Sequence, residues 1–140
     1  MISMEQISEA TRHALEYLET VDDLEEVEVF VASNGSLVAR LNYTSHIPCN
    51  GLEEPKSMES YGIGIRAVFR SDEGSKIGFG SEPSNLSIDG VKRALNKARA
   101  GAIRDPEFTS LPKTFDDINI VEAYHDPALM SVRDEDLVEV

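Results

Sequence analysis

Two apolar segments interrupted by glycines constrain the fold of this chain most: Tyr61-Gly-Ile-Gly-Ile-Arg-Ala-Val-Phe69 and Ile77-Gly-Phe-Gly-Ser81. Successive residues of a strand point to opposite faces, so Gly62 and Gly64 leave one face of the first segment nearly without side chains. Such a face lets another backbone, a packed helix or an extended peptide come close. A short polar link joins the two segments, which are predicted to be strands of one sheet.

Two helices are predicted from their capping residues and apolar spacing. The first runs over roughly Met4 to Thr20, where Ser3 and Gln6 form a capping box that satisfies free N–H groups. The second follows the glycine-rich strands. Ser87 is its predicted N-cap and Gly101 its predicted end.

Further strands are predicted on both sides of an Asn-Gly pair. Glu26–Ala32 and residues 37–43 alternate in polarity, and Asn34-Gly35 between them is typical of a tight turn, so these strands are expected to form an antiparallel hairpin. Residues 44–58 contain two prolines and a glycine and are predicted to be a loop. A last strand is predicted over residues 117–124.

The predicted fold class is α+β, with a mainly antiparallel sheet of four to five strands and two principal helices packed on it. The length of 140 residues fits a single domain over residues 1–140. Ser131 to Asp134 has the pattern of a helix start with an acidic first turn, and few residues follow it. The chain is therefore expected to be a piece of a longer protein.

The charge of the chain limits its partners. A net charge of −13 repels nucleic acid and anionic lipid, so neither a nucleic acid nor a membrane is an expected partner. Residues 31–100 carry seven acids and nine bases, which indicates either an acidic shell on the flanking elements or a weakly cationic groove. The single cysteine, the lack of a signal-peptide pattern and the lack of a long apolar run predict a cytoplasmic protein.

None of the three histidines has the neighbours that a catalytic or metal site needs. His13 lies in the first helix near carboxylates and is interpreted as a surface residue, because a zinc protease helix needs two histidines around a glutamate. His46 and Cys49 form at most half of a zinc site, with a weak or oligomer-bridging metal site as the alternative. His125-Asp126 is interpreted as part of a turn. No catalytic and no metal-binding residue is predicted in this chain.

The candidate binding residues are Gly62, Gly64 and Arg66, which alternation places on one face of the first glycine-rich strand. The glycines serve either sheet bends and close packing or an extended peptide that docks along the strand edge by strand addition. Arg66 is either an anchor for a carboxylate or a partner in an internal ion pair. These three residues are the predicted peptide groove.

The order of these motifs resembles the N-terminal domain of the TldD/PmbA family, also called the modulator of DNA gyrase family. The matching segments, in chain order, are Glu26–Val31, Gly62–Arg66, Ile77–Ser81, Asn85–Ala98 and Tyr124–Ala128. Together they extend over most of the chain, from roughly Met4 to its end.

The resemblance implies a role in a zinc metalloprotease system that acts on peptides or unfolded proteins. In that family one branch carries a His-Glu-x-x-x-His helix and a distal cysteine, the other branch lacks them and acts as a partner subunit, and members form homo- or heterodimers. The metal ligands lie outside the N-terminal domain, and this chain has no His-Glu pair. The resemblance thus implies substrate-cleft and dimer surface here, and zinc only in the full-length parent. The alternative is an interaction module of a non-catalytic PmbA-type partner subunit.

Overall fold

The computed structural model describes residues 2–42, 51–113 and 126–137. Its helices and strands follow one another as α1 (Met4–Leu18), β1 (Leu24–Asn42), β2 (Gly51–Phe69), β3 (Lys76–Pro83), α2 (Ile88–Ala100), α3 (Pro127–Met130) and a 3₁₀ turn (Asp134–Leu137). The three strands form one antiparallel sheet in the order β1-β2-β3. The α+β class and the two principal helices are confirmed.

The chain divides into two compact units. The first comprises Met1–Asn34 and Ser60–Lys113, and the second comprises Gly35–Glu59 and Thr114–Val140. The first unit contains both principal helices and β3, together with the adjoining parts of β1 and β2. The second contains the remaining parts of β1 and β2 and the two short helical segments.

The predicted helix caps are confirmed. The Ser3 hydroxyl accepts from Gln6 N, and the Gln6 side chain accepts from Ser3 N, so the capping box at α1 is complete. Ser87 caps α2 and Gly101 ends it. These ends follow from local hydrogen bonding of free N–H groups, which short-range sequence encodes.

The predicted hairpin around Asn34-Gly35 is wrong, because β1 continues through both residues. A two-residue hairpin turn of the Asn-Gly type needs positive φ at both positions. Among the described residues, only Ser84 and Gly74 have positive φ. Asn-Gly permits such a turn without imposing it, and here the pair lies in an extended strand that hydrogen-bonds to β2.

The number of strands and the chain end also differ from the prediction. Three strands are found in the described residues. The two strands of the predicted hairpin form the single strand β1, and residues 51–58 of the predicted loop belong to β2. The predicted strand over 117–124 lies outside the described residues. At Ser131, where a helix is predicted to start, α3 ends, and a 3₁₀ turn over Asp134–Leu137 follows. Asp126 caps α3, its Oδ1 accepting from Ala128 N at 2.8 Å.

The core of the first unit lies between the sheet and the two principal helices. One face of β2 contributes Ile63, Ile65, Ala67 and Phe69, all at most 4 % exposed. The helices contribute the buried side chains Ala14, Leu18, Val91, Ala94, Leu95 and Ala98. Because these β2 residues occupy alternate positions, the residues between them lie on the opposite face. No helix of the described residues is long and apolar enough to cross a membrane.

Candidate functional site

The glycines of β3 serve the packing of helix α2. A Cβ atom added at Gly78 would overlap the Ala98 carbonyl oxygen and lie 2.9 Å from its carbonyl carbon. One added at Gly80 would overlap the Ala94 carbonyl oxygen and lie 2.5 Å from Ala98 N. Real side chains do not approach a backbone so closely, so both glycines are needed for helix and strand to touch.

The glycines of β2 face the other side of the sheet. The register pairs Gly64 with Ser81 and Arg66 with Phe79, which places these four residues on one face, opposite the helices. A Cβ at Gly64 would meet nothing closer than the Phe79 ring at 3.4 Å, which is ordinary contact. A Cβ at Gly62 would lie 2.9 Å from the Glu82 carbonyl oxygen, so this glycine is needed for the close approach of β3. Gly78 and Gly80 thus serve packing against α2 on one face, and Gly64 leaves an open floor on the other.

A groove runs over this open face. Its walls are Phe30 of β1 and Phe79 of β3, which are 69 % and 64 % exposed, and its floor is Gly62 and Gly64. Its volume is about 340 Å³, and Ser81 also lines it. We call these five residues the glycine groove. Its size is at the small end of ligand sites, which suits one side chain or a short peptide rather than a large ligand.

The mode of docking differs from the prediction. β2 is the central strand, hydrogen-bonded to β1 on one side and to β3 on the other. Where Gly62 to Phe69 pairs with β3, its backbone groups are already engaged, and a peptide cannot add there as a new strand. A peptide at Gly62 and Gly64 would have to lie on the open face of the sheet.

Arg66 is held in an ion pair. Its Nε donates to Glu28 Oε2 at 2.7 Å, and its Nη2 contacts the same oxygen. Of the two interpretations left open for Arg66, the structure shows the internal pair. The pair stands at one end of the glycine groove, beside a smaller cavity of about 240 Å³ that Phe30 and Phe79 also line.

The sequence pattern did not identify Phe30, Phe79 and Glu28 as members of the site. A signal for them existed: Glu28 and Phe30 alternate with the partly buried valines of β1, and Phe79 stands between two glycines. Alternation shows that such residues share a face within one strand. It does not show which residues of another strand lie beside them, and that depends on register.

A charged cluster ties α2 to β3 next to the groove. Lys97 Nζ donates to Ser81 O at 2.8 Å and to Glu82 Oε2 at 2.6 Å, and Arg93 lies 3.5 Å from the other carboxylate oxygen. The hydrogen bond from Lys97 lowers the pKa of the Glu82 carboxyl group.

A second ion pair ties α2 to the start of β1. Arg99 donates to both carboxylate oxygens of Asp23, at 3.0 and 2.9 Å, and its guanidinium carbon lies 5.1 Å from the centre of the Phe69 ring. The hydrogen bond from Arg99 lowers the pKa of Asp23, and the same bond raises the pKa of Arg99.

This pair predicts a pH dependence of stability. The folded pKa of Asp23 is below its unfolded value of about 4, so the pair stabilises the fold above that pH and the gain is lost as the pH falls through the folded pKa. Since both side chains are about 40 % exposed, we expect Asp23→Asn to cost at most about 1 kcal/mol at pH 7. Urea unfolding of the parent protein and of Asp23→Asn, at pH 7 and below pH 3, measures the difference between their unfolding free energies. This difference should vanish at the lower pH. An unchanged difference at low pH would contradict the assignment.

His13 is exposed on α1, with Nε2 2.9 Å from Arg12 Nη2. It borders a polar cavity of about 550 Å³ that Glu9, Tyr61 and Asn85 also line. In the part of the chain that the structure describes, no three His, Cys, Asp or Glu side chains are grouped to hold a metal ion. The other candidate residues, His46, Cys49 and His125, lie outside the described residues.

The fold and the groove define an α+β domain with an open apolar face built from three strands. Residues 50–102 match the family model described as PmbA/TldA metallopeptidase domain 1. This segment, which includes β2, β3 and α2, is similar to that domain and supports the predicted resemblance to the N-terminal domain of the PmbA/TldD family. No curated protein and no solved structure matches the chain.

Proposed function

We propose that this chain works as the N-terminal domain of a PmbA/TldD-type zinc metalloprotease system that acts on peptides or unfolded proteins. In this proposal the domain supplies surface to the substrate cleft and to a homo- or heterodimer contact, and it supplies no catalytic residue. The observation that supports it most is that the family segment, residues 50–102, also contains the floor and one wall of the glycine groove.

A peptide is the substrate class that suits this surface. The groove is shallow, largely apolar and open along the sheet, and Gly62 and Gly64 remove the side chains that would keep a second backbone away. Strongly acidic composition opposes the alternative of a nucleic acid. A cytoplasmic location fits the single cysteine of the chain.

The zinc of the proposed system does not fit the described residues of this chain. Zinc needs three or four nitrogen, sulfur or oxygen ligands in close grouping, and the described residues offer no such group. His13, the histidine among them, contacts an arginine rather than a carboxylate or another histidine. We therefore assign the zinc ligands of the system to a further part of the parent protein.

The decisive test is the sequence that follows codon 140 in the gene. We expect the reading frame to continue into a second domain with a His-Glu-x-x-x-His helix. The purified full-length protein should then degrade an unfolded protein such as reduced casein, and a chelator should abolish that activity while added zinc restores it. A full-length protein with a metal-independent peptidase activity would contradict the proposal, as would a reading frame that stops at codon 140.

A continuing frame without the His-Glu-x-x-x-His motif would instead assign the parent to the non-catalytic partner branch. The same domain would then be an interaction module. Mixing the protein with a motif-bearing family member and measuring the mass of the complex by sedimentation distinguishes the two results.

A further inference from the structure

We infer that the polar cavity beside His13 binds the amino-terminal end of a peptide, with Glu9 as the partner of its ammonium group. The inference rests on the proposed function, since it takes a peptide as the ligand, and it adds which end of the peptide the domain recognises. Three observations support it: an unpaired carboxylate, a strained serine whose hydroxyl has no partner, and hydrogen-bond donors in the same lining.

The cavity lies wholly within the first unit. Helix α1 contributes residues at helical spacing, among them Glu9, Ala10 and His13. Tyr61 of β2 and residues 84–86, which join β3 to α2, complete the lining. The volume of about 550 Å³ is within the range of small-ligand sites. The cavity therefore has room for the end of a peptide.

Glu9 gives the cavity its charge. Among the described residues of the lining it is the only acid, and none of the described residues forms an ion pair or hydrogen bond with its carboxylate. A charge-assisted hydrogen bond between a carboxylate and an ammonium group is about twice as strong as a neutral one. The net charge of −13 also attracts cations to the chain and repels a peptide carboxylate.

Ser84 has a backbone conformation that glycine adopts more easily. Its φ is +56°, and among the described residues it is the only one other than glycine with positive φ. A side chain costs free energy in this conformation, and glycine would avoid the cost. The Ser84 N–H donates to Tyr61 O at 2.8 Å, but its hydroxyl has no partner in the described part of the chain. A strained residue with an unused hydroxyl at a cavity indicates a contact with a ligand.

Two donors belong to the same lining. Asn85 Oδ1 accepts from Ser87 N at 3.0 Å and from Ser87 Oγ at 2.7 Å, which fixes the amide and leaves its Nδ2 to donate elsewhere. His13 Nε2 lies 2.9 Å from Arg12 Nη2. Because a guanidinium group only donates, Nε2 accepts and the imidazole proton is on Nδ1. Both nitrogens are therefore donors for a carbonyl oxygen.

This set of groups matches a peptide amino terminus better than a lysine side chain. An α-ammonium group has three N–H donors, and the carbonyl of the same residue follows it directly. Glu9, Tyr61 and Ser84 offer acceptors for the ammonium group, and Asn85 and His13 offer donors for the carbonyl oxygen. A lysine ammonium group stands at the end of an alkyl chain and would leave the donors unused.

The absence of tryptophan from the chain makes the binding of a tryptophan peptide directly measurable by its emission. The probe is Ala-Ala-Trp-Ala-amide, whose amino terminus is free. One comparison peptide is its acetylated form, which has no charge. The other is acetyl-Ala-Lys-Trp-Ala-amide, which carries the same charge on a side chain. We expect the probe to bind the 140-residue chain at least about tenfold more tightly than either comparison peptide.

Variants of the lining separate this cavity from general attraction of cations. Glu9→Gln should weaken binding of the probe about tenfold and leave binding of the acetylated peptide unchanged. Glu5→Gln is the matched control, because it removes the same charge from an exposed position of α1 outside the cavity, and it should bind like the parent.

Ser84→Gly separates binding from stability. Glycine relieves the positive φ, so the melting temperature should stay the same or rise, while binding of the probe weakens about threefold or more. A serine with a structural role alone would leave probe binding unchanged. Circular dichroism establishes that each variant is folded.

The outcomes distinguish this inference from the proposed function. Equal binding of the free and acetylated peptides would overturn the inference and leave peptide binding by the domain in place. Equal binding of the lysine peptide, or equal weakening by Glu5→Gln and Glu9→Gln, would show attraction to the overall negative charge and would overturn it too, as would no binding of any peptide. Selective binding of the probe supports the cavity even where the sequence beyond codon 140 contradicts the proposed protease.

Discussion

Gly80→Ala is expected to destabilise the first unit by about 3 kcal/mol or more, since a methyl group there has no space. The added Cβ would overlap the Ala94 carbonyl oxygen and crowd Ala98 N. Both atoms belong to helix backbone, which cannot turn away as a side chain would. Helix α2 would have to move off β3, and its buried residues Val91 and Leu95 would lose contacts within the core. Urea unfolding followed by circular dichroism measures the loss.

Gly64→Ala provides a matched control for this prediction. It is the same substitution in the neighbouring strand, on the opposite face, and its Cβ would come no closer to a neighbour than 3.4 Å, to the Phe79 ring. We expect a change in unfolding free energy below about 1 kcal/mol, because alanine also suits a strand slightly better than glycine. Equal losses in the two variants would contradict the distinct roles assigned to the two glycine motifs.

Ile65→Ala is expected to cost about 2 to 5 kcal/mol of unfolding free energy. Ile65 is fully buried in β2, within the cluster formed by the sheet and both helices, and the truncation leaves a cavity that a close-packed core fills only in part. The loss is a large fraction of the 5 to 15 kcal/mol that a domain of this size usually has. Thermal unfolding and urea unfolding should both report it.

The same substitution at an exposed position tests whether burial causes this loss. Ile103 is 68 % exposed, and its bond to β3 runs through backbone atoms that alanine retains. Ile103→Ala should change the unfolding free energy by less than about 0.5 kcal/mol. A comparable loss at both positions would mean that the sheet face of β2 is not the centre of the core.

These two predictions both concern the helix-covered face of the sheet, and the difference between its two faces is central to the proposed function. The helix-covered face holds the core and needs Gly78 and Gly80 for close packing. The open face holds the glycine groove, where the absence of side chains at Gly62 and Gly64 leaves room instead of filling it. A stable covered face keeps the groove rigid, which favours binding because less order has to be imposed.

The amino-acid sequence by itself determined the elements whose causes are local. The capping residues Ser3 and Ser87 and the terminator Gly101 act within one helical turn, and all three predictions are confirmed. Alternation placed Gly62, Gly64 and Arg66 on one face of β2, which the register with β3 supports. The order of the motifs was sufficient to indicate the family that residues 50–102 match.

Only the tertiary structure decided what depends on partners distant in the chain. Asn34-Gly35 favours a turn locally, but the hydrogen-bonded ladder with β2 outweighs that preference and keeps β1 extended. Arg66 finds its partner Glu28 on another strand, 38 residues away. Phe30 and Phe79 form two walls of one groove solely because β2 lies between their strands. Strand order and register arise from contacts across the whole core, and a local pattern of residue types does not carry them.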